Sequence, residues 1–328
     1  MATPRTPKPD PLLGIVGTTA AGKTALGVEL AARLAAEQGV VGEVVSLDSM
    51  LVYRGLDIGT AKPTLAERGG VPHHLIDVVE PEEAFDVASY VKSQTAAEAE
   101  ARARGAVPFV VGGTAFYLQA LLFGLPDQPP VDPELRARLL AEYDAEGPTR
   151  THARLAAVDP ALATRVHPND KKRVVRGLEV FSQTGAPASD RETSWEPAAA
   201  LRPARLALVE PDPDELDGRI LARTRAMFDA GWPAEAAAVL PRLGPTARGV
   251  LGYQEAAAAH TGELEREAAI ERIAQLTRQF ARRQRTWLRR FAKAGLLRAF
   301  PAPVTHEDLE RTAHEVLAYW SAGADESI

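Results

Sequence analysis

Eight consecutive residues, Gly17-Thr18-Thr19-Ala20-Ala21-Gly22-Lys23-Thr24, fit the phosphate-loop pattern G-x-x-x-x-G-K-[ST] in full. Glycines let the backbone wrap a phosphate, and successive N–H groups with a helix N-terminus face the anion. Lys23 adds a positive point charge, and the Thr24 hydroxyl suits Mg²⁺. The motif leaves open whose phosphates are held; ATP is its default ligand. Asp48 ends a second apolar run, and three roles fit it: magnesium ligand, general base, or cap of the turn at Asp48-Ser49. Gly112-Gly113-Thr114 ends another such run. A glycine pair admits a ligand close to the backbone and the threonine offers a hydroxyl, although a plain strand-to-helix turn would use the same residues.

Charge supplies a second signal. The net charge of −6 argues mildly against nucleic acid as a whole-chain average, yet residues 272–298 hold nine Arg or Lys and no acid. On a helical wheel Arg278, Arg282, Arg285, Arg289 and Lys293 form one stripe, with Ile273, Leu276, Phe280, Trp287 and Phe291 opposite. A solvated face usually mixes acids among its bases, whereas a stripe of one sign neutralises phosphates, so nucleic acid is the leading reading, with a solvated face or another anionic partner as the alternatives. Lys171-Lys172-Arg173-Val174-Val175-Arg176, after His167-Pro168-Asn169-Asp170, is a second basic cluster or simply a capped helix with a basic exposed side. His73 and His74 lack metal-ligand spacing to other candidates and read as structural.

These residues must be positioned by strands alternating with helices. Apolar runs at residues 12–16, 43–47, 107–111 and 205–209, with a weaker one at 74–78, predict strands; residues 23–36 and 88–104 predict helices. The pattern predicts an α/β fold, a P-loop NTPase-like parallel sheet core with helices on both faces and a helical insertion domain. Residues 17–24, Asp48 and 112–114 then share the carboxyl edge of the sheet, where such folds bind ligands. The expected organisation is a disordered lead-in at 1–10, a core of 11–125 and 201–300, the insertion at 126–200 after a Pro-rich linker, and a tail at 301–328. With 45% hydrophobic and 25% charged residues the chain reads as an ordinary globular protein. Cysteine is absent, which excludes disulfides and thiolate chemistry and fits a reducing cytoplasm. The opening residues lack a secretory apolar core, and no apolar run reaches the roughly 20 residues that span a bilayer. No feature calls for an obligate protein partner, so a monomer is expected.

Further stretches add a family resemblance. Residues 17–24, Ser46-Leu47-Asp48-Ser49, Tyr53-Arg54-Gly55-Leu56-Asp57-Ile58-Gly59-Thr60-Ala61-Lys62-Pro63, Pro72-His73-His74-Leu75-Ile76-Asp77, Val111-Gly112-Gly113-Thr114, Val166-His167-Pro168-Asn169-Asp170, Leu251-Gly252-Tyr253-Gln254-Glu255 and Thr277-Arg278-Gln279-Phe280-Ala281-Arg282-Arg283-Gln284 resemble, in order, the bacterial tRNA dimethylallyltransferases. The resemblance implies transfer of a dimethylallyl group from dimethylallyl diphosphate to N6 of adenosine-37, beside the anticodon, in tRNAs reading codons that begin with U. It implies diphosphate held by the loop from Gly17 to Thr24, with Mg²⁺ on Thr24, and catalysis by Asp48 as base with Lys23 and Thr114. It further implies tRNA contacts by Asp48, Ser49, Met50, Leu51, Thr114, Arg136, Lys172, Arg173, Val174, Val175, Arg176, Arg278, Arg282 and Arg285. Position 51, often Gln in the family, is Leu here, and Gly249 stands where some members carry Arg, with Arg248 next door. An adenylate isopentenyltransferase of cytokinin synthesis, a P-loop small-molecule kinase and a non-catalytic RNA-binding module are the alternatives.

Overall fold

The computed structural model describes residues 10–191 and 199–322. The expected lead-in lies outside these residues apart from Asp10. Two compact units divide the chain, one made of Met1–Leu122 with Glu196–Ile328 and the other of Phe123–Trp195.

The first unit is built on a six-stranded sheet. Its elements begin β1 (Leu12–Gly17), α1 (Lys23–Gln38), β2 (Gly42–Leu47), β3 (His73–His74), α2 (Val87–Ala103), β4 (Val107–Gly112) and α3 (Ala115–Phe123). The strand order is β3-β2-β4-β1-β5-β6, with every pairing parallel and β5 and β6 coming from the C-terminal half. β1 and β2 are buried almost throughout. Near-continuous burial is what a parallel sheet covered on both faces requires, so its strands read as unbroken apolar runs. Ile15, Val44, Phe109 and Val209 on one face pack with Leu26 and Leu30 of α1. The expected α/β class with a parallel sheet is the one observed.

The weak strand expected at 74–78 shrinks to His73–His74. Leu75 and Asp77 adopt positive φ (60° and 56°), which breaks the extended backbone, and the Asp77 carboxylate accepts from Lys62 Nζ at 2.5 Å. His74 Nε2 lies 2.6 Å from Glu43 Oε2, a structural contact.

The second unit contributes α4 (Pro133–Glu146), α5 (Pro148–Val158), α6 (Pro160–Ala163) and α7 (Lys171–Thr184). Its core joins Leu139, Leu155, Val166, Val174, Val175 and Leu178. Glu179 of α7 is fully buried, and its oxygens accept from Arg136, Arg176 and the Asp132 backbone N–H, which neutralises an otherwise costly buried carboxylate.

The chain continues through β5 (Ala204–Glu210), α8 (Pro213–Asp229), α9 (Trp232–Val239), α10 (Tyr253–Thr261), α11 (Arg266–Lys293), β6 (Leu297–Pro301) and α12 (His306–Ser321). Residues 301–328, expected as a tail, contain α12, whose Ala313, Val316, Leu317 and Trp320 enter the same core as α1. Thr305 and Asp308 close a reciprocal capping box at its start.

Candidate active site

Because all strands run parallel, β1, β2 and β4 deliver their following loops to one edge. Gly17 ends β1 with no room for a side chain, since a Cβ there would lie 2.3 Å from the Val209 carbonyl oxygen. The next residues turn sharply, Ala20 and Gly22 at φ 61° and 80°, before α1 starts at Lys23. Residues Thr19 to Thr24 line a cavity of about 860 Å³, along with Asp48, Gly112 and Gly113. A second cavity, about 360 Å³, adjoins it: Thr19, Asp48, Thr60, Arg223 and Phe280 line both. Ser49, Met50 and Thr114 face the second, and Leu51 the first. Gly17 and Thr18 support the loop from behind, Thr18 being fully buried.

Of the candidate roles of Asp48, the cap is the one the geometry displays, and the carboxylate stays open to a ligand. Its Oδ1 accepts from the Met50 N–H at 2.8 Å and the Leu51 N–H at 3.4 Å, which pins the turn. Oδ2 takes no hydrogen bond among the described residues, and the carboxylate borders both cavities. Thr114 is fixed next to it, its backbone N–H donating to the Leu47 carbonyl at 3.1 Å.

Two further side chains complete this edge, Arg223, which lies in no motif, and Gln284, the last residue of the stretch 277–284, to which the sequence assigns no role. Arg223 of α8 borders both cavities and donates from Nη2 to Thr19 Oγ1 at 2.7 Å. Burial pulls its pKa below the usual arginine value, and Asp48 works against that shift. Gln284 of α11 accepts from the Thr19 N–H. Lys23 points back, donating to the Thr18 carbonyl at 2.6 Å; burial pushes its ammonium down to about 8, with Asp48 opposing and Arg223 assisting. Arg219, one turn before Arg223, borders the larger cavity and donates to the Pro303 carbonyl at 3.2 Å. The i, i+4 arginines of α8 were the only sequence signal, and by themselves they read as a solvated helix face.

The most distinctive stretch of the sequence, 57–63, is a loop at the rim. Glu235 of α9 accepts from the N–H groups of Asp57, Ile58 and Gly59 and from the Tyr253 hydroxyl. Lys62, 5% exposed, donates to the Tyr53 carbonyl and the Asp57 carboxylate. Thus Thr60, Ala61 and Pro63 are held against the larger cavity.

The basic helix requires corrections. Its buried row is Ile273, Thr277, Ala281, Gln284, Leu288 and Phe291. That row keeps Ile273 and Phe291 of the expected apolar stripe but is turned from it by about a sixth of a turn, and lies about a third of a turn from the basic one. Phe280, expected in the core, is 38% exposed and borders both cavities. Acids absent from the segment arrive from other elements: Asp217 lies 3.7 Å from Arg278, while Glu210 lies 3.1 Å from Arg285 and 3.7 Å from Arg289. Arg282 and Arg283 remain exposed, the latter at the second cavity.

In the second unit, Val174 and Val175 are buried core residues, so their side chains face away from any RNA. Arg136 and Arg176 are committed to Glu179, Arg176 also donating to the Pro129 carbonyl. Lys172 and Arg173 are exposed. Arg248 donates to the Leu243 carbonyl and borders neither cavity, so it does not stand in for an arginine at Gly249. Among the described residues no group of three or more His, Asp or Glu is placed to hold a metal.

A phosphate loop, a carboxylate and paired arginines at one sheet edge are the features against which relatives can be compared. The family model for IPP transferase matches residues 51–291. The chain is 49% identical over 287 residues to a tRNA dimethylallyltransferase of Anaeromyxobacter dehalogenans (strain 2CP-C), covering 85% of this chain and 92% of that protein. It is 43% identical to one from Roseiflexus sp. (strain RS-1), covering 94% and 98%. Among solved structures, the full-length tRNA isopentenylpyrophosphate transferase of Bacillus halodurans superposes with a TM-score of 0.68 at 32% identity, over 97% of this chain and 99% of that one. A eukaryotic dimethylallyltransferase acting on tRNA gives 0.78 at 28% identity, over 97% and 80%. With more than half its length in the family model and near-full-length relatives at these identities, this chain belongs to the IPP transferase family.

Proposed function

We propose that this protein is a tRNA dimethylallyltransferase, moving a dimethylallyl group from dimethylallyl diphosphate to N6 of adenosine-37 beside the anticodon. The observation that carries this reading is Asp48 bordering both adjoining cavities, one walled by a phosphate loop and the other by Thr114, Met50 and Phe280. A carboxylate there can act on an acceptor in one cavity while a diphosphate leaves into the other.

The chemistry is displacement at the prenyl C1. The N6–C1 bond forms, the C1–O bond to diphosphate breaks, and the N6 proton passes to Asp48. An exocyclic amine is a weak nucleophile because its lone pair is delocalised into the ring, so base and leaving group must both be assisted. Lys23, Arg223 and the loop N–H groups would take the charge that develops on the diphosphate. The Thr24 hydroxyl, which borders the larger cavity, would hold a magnesium, and the ion would supply positive charge against the leaving group. Adenine within an anticodon loop must be extruded to reach a cavity, which costs less than opening a duplex. The exposed bases of α11 and of the start of α7 support binding of the anticodon arm. A cytoplasmic location and a monomeric state belong to the same proposal; among the described residues no helix is long and apolar enough to cross a membrane.

The test is transfer of labelled dimethylallyl to tRNA, AMP and ADP in parallel. Product on tRNA alone is expected, whereas product on AMP alone refutes the reading. Asp48→Ala should lower single-turnover rate by about 10²–10⁴-fold while tRNA affinity changes little; unchanged turnover removes Asp48 from the chemistry.

A further inference from the structure

Gln284 lies on the buried side of the basic helix, 7% exposed, between two loops that are distant in sequence. Its Oε1 accepts from the Thr19 N–H at 2.9 Å, and its Nε2 donates to the Gly113 carbonyl at 2.9 Å. The chain of bonds continues: the Gly113 and Thr114 N–H groups both donate to the carbonyl of Leu47, the residue before Asp48. One amide therefore spans from the phosphate loop to the strand end that carries the carboxylate. The fit is close, because a Cβ on Gly113 would come within 2.5 Å of Gln284 Nε2 and 2.7 Å of the Gly17 carbonyl oxygen. The amide supplies an acceptor and a donor from one planar end at any pH, which an ionised carboxylate does not. Thr19 is held again from its other side, where its hydroxyl accepts from Arg223.

We propose that Gln284 is a positioning residue that sets the phosphate loop and the Asp48 strand end at the separation the transfer requires. This proposal rests on the reading that the phosphate loop holds the leaving diphosphate. Gln284 touches neither reacting atom; it acts through Thr19 and Gly113. Rate in such a displacement depends steeply on the placement of base and leaving group, so a loosened bridge should appear in the chemical step. The outward bases of α11 remain when Gln284 is changed, so tRNA affinity should stay.

The experiment uses Gln284→Glu in the full-length enzyme, with single-turnover rates at saturating dimethylallyl diphosphate and tRNA. An ionised carboxylate still accepts from Thr19 but faces the Gly113 oxygen with no proton to give. Burial and that oxygen both raise its pKa into the accessible range, and once protonated it can restore both bonds. The rate relative to the native enzyme should be down about tenfold or more at pH 8.5 and recover to within about threefold at pH 6. Affinity for the tRNA should change by less than about twofold. A relative rate that does not change with pH overturns the proposal, as does a loss confined to tRNA affinity. Gln284→Ala, which can restore neither bond, should lose rate at both pH values; recovery by Gln284→Ala at pH 6 also overturns it. The native enzyme and Lys23→Ala run alongside: equal rates for those two would defeat the leaving-group reading of the loop, separately from the bridge.

Discussion

Lys23 stands in opposing fields. Burial brings its ammonium down to about 8 even though Asp48 favours the charged form, and the neighbouring Arg223 disfavours it. An ordinary lysine stays charged to about 10.4, so here roughly half the lysines are neutral at pH 8. A bound diphosphate places negative charge beside Nζ and favours the proton, so binding must take one up around and above pH 8. The sign follows: affinity is full below the free-state value and falls as pH rises through about 8. A phosphate ester's last ionisation, near 6, is complete across that window and adds no competing trend. Calorimetry of dimethylallyl diphosphate binding at pH 8, in two buffers of different ionisation enthalpy, should report uptake of about half a proton. Lys23→Arg should abolish the uptake, because arginine keeps its proton throughout. Uptake of the same size in that variant would assign the proton to another group.

At the scale of elements, the loop at 57–63 owes its position to α9. Three successive N–H groups converge on the Glu235 carboxylate, and Gly59 leaves no space, a Cβ there lying 2.0 Å from Trp232 Nε1. Glu235→Ala strands those donors and the Tyr253 hydroxyl. The expected cost is about 1–3 kcal/mol, read as a lowered Tm, together with a raised KM for dimethylallyl diphosphate because Thr60 and Ala61 border the cavity proposed to hold it. A lowered Tm with unchanged KM would make the loop a structural feature only. The same contrast explains what was legible beforehand. β1, the phosphate loop and α1 are one continuous local pattern, an unbroken apolar run followed by G-K-T, and they formed where the pattern said. β6 escaped because it is an edge strand with only Leu297 and Phe300 buried, too short to show a run. The roles of Arg223 and of Gln284, the latter inside the family-like stretch 277–284, are illegible for a different reason. Their roles come from helices that reach the sheet edge in three dimensions, and neither spacing nor composition encodes that approach. The buried face of α11 differs from the one its large apolar residues predict because small residues, Ala274, Thr277 and Ala281, make the contact.

Over the whole molecule, a net charge of −6 coexists with concentrated positive faces, and the acids determine which bases remain available for RNA. Arg136 and Arg176 neutralise the buried Glu179, and Arg285 leans on Glu210. Lys172 and Arg282 are exposed with no acidic partner among the described residues. Phosphate contacts release counterions, so log affinity falls with log salt by about 0.7–0.9 per contact. Lys172→Ala and Arg282→Ala should each reduce that slope by about one such increment, measured by fluorescence anisotropy of an anticodon stem-loop across a KCl series. Arg136→Ala is the informative control. It strips a hydrogen bond from a buried carboxylate, so it should lower Tm through a cost of about 1–3 kcal/mol and leave the salt slope as it was. If Arg136→Ala flattened the slope as much as Lys172→Ala did, its guanidinium would have to leave Glu179 for the RNA, and the division between structural and RNA-facing bases drawn from these ion pairs would fail.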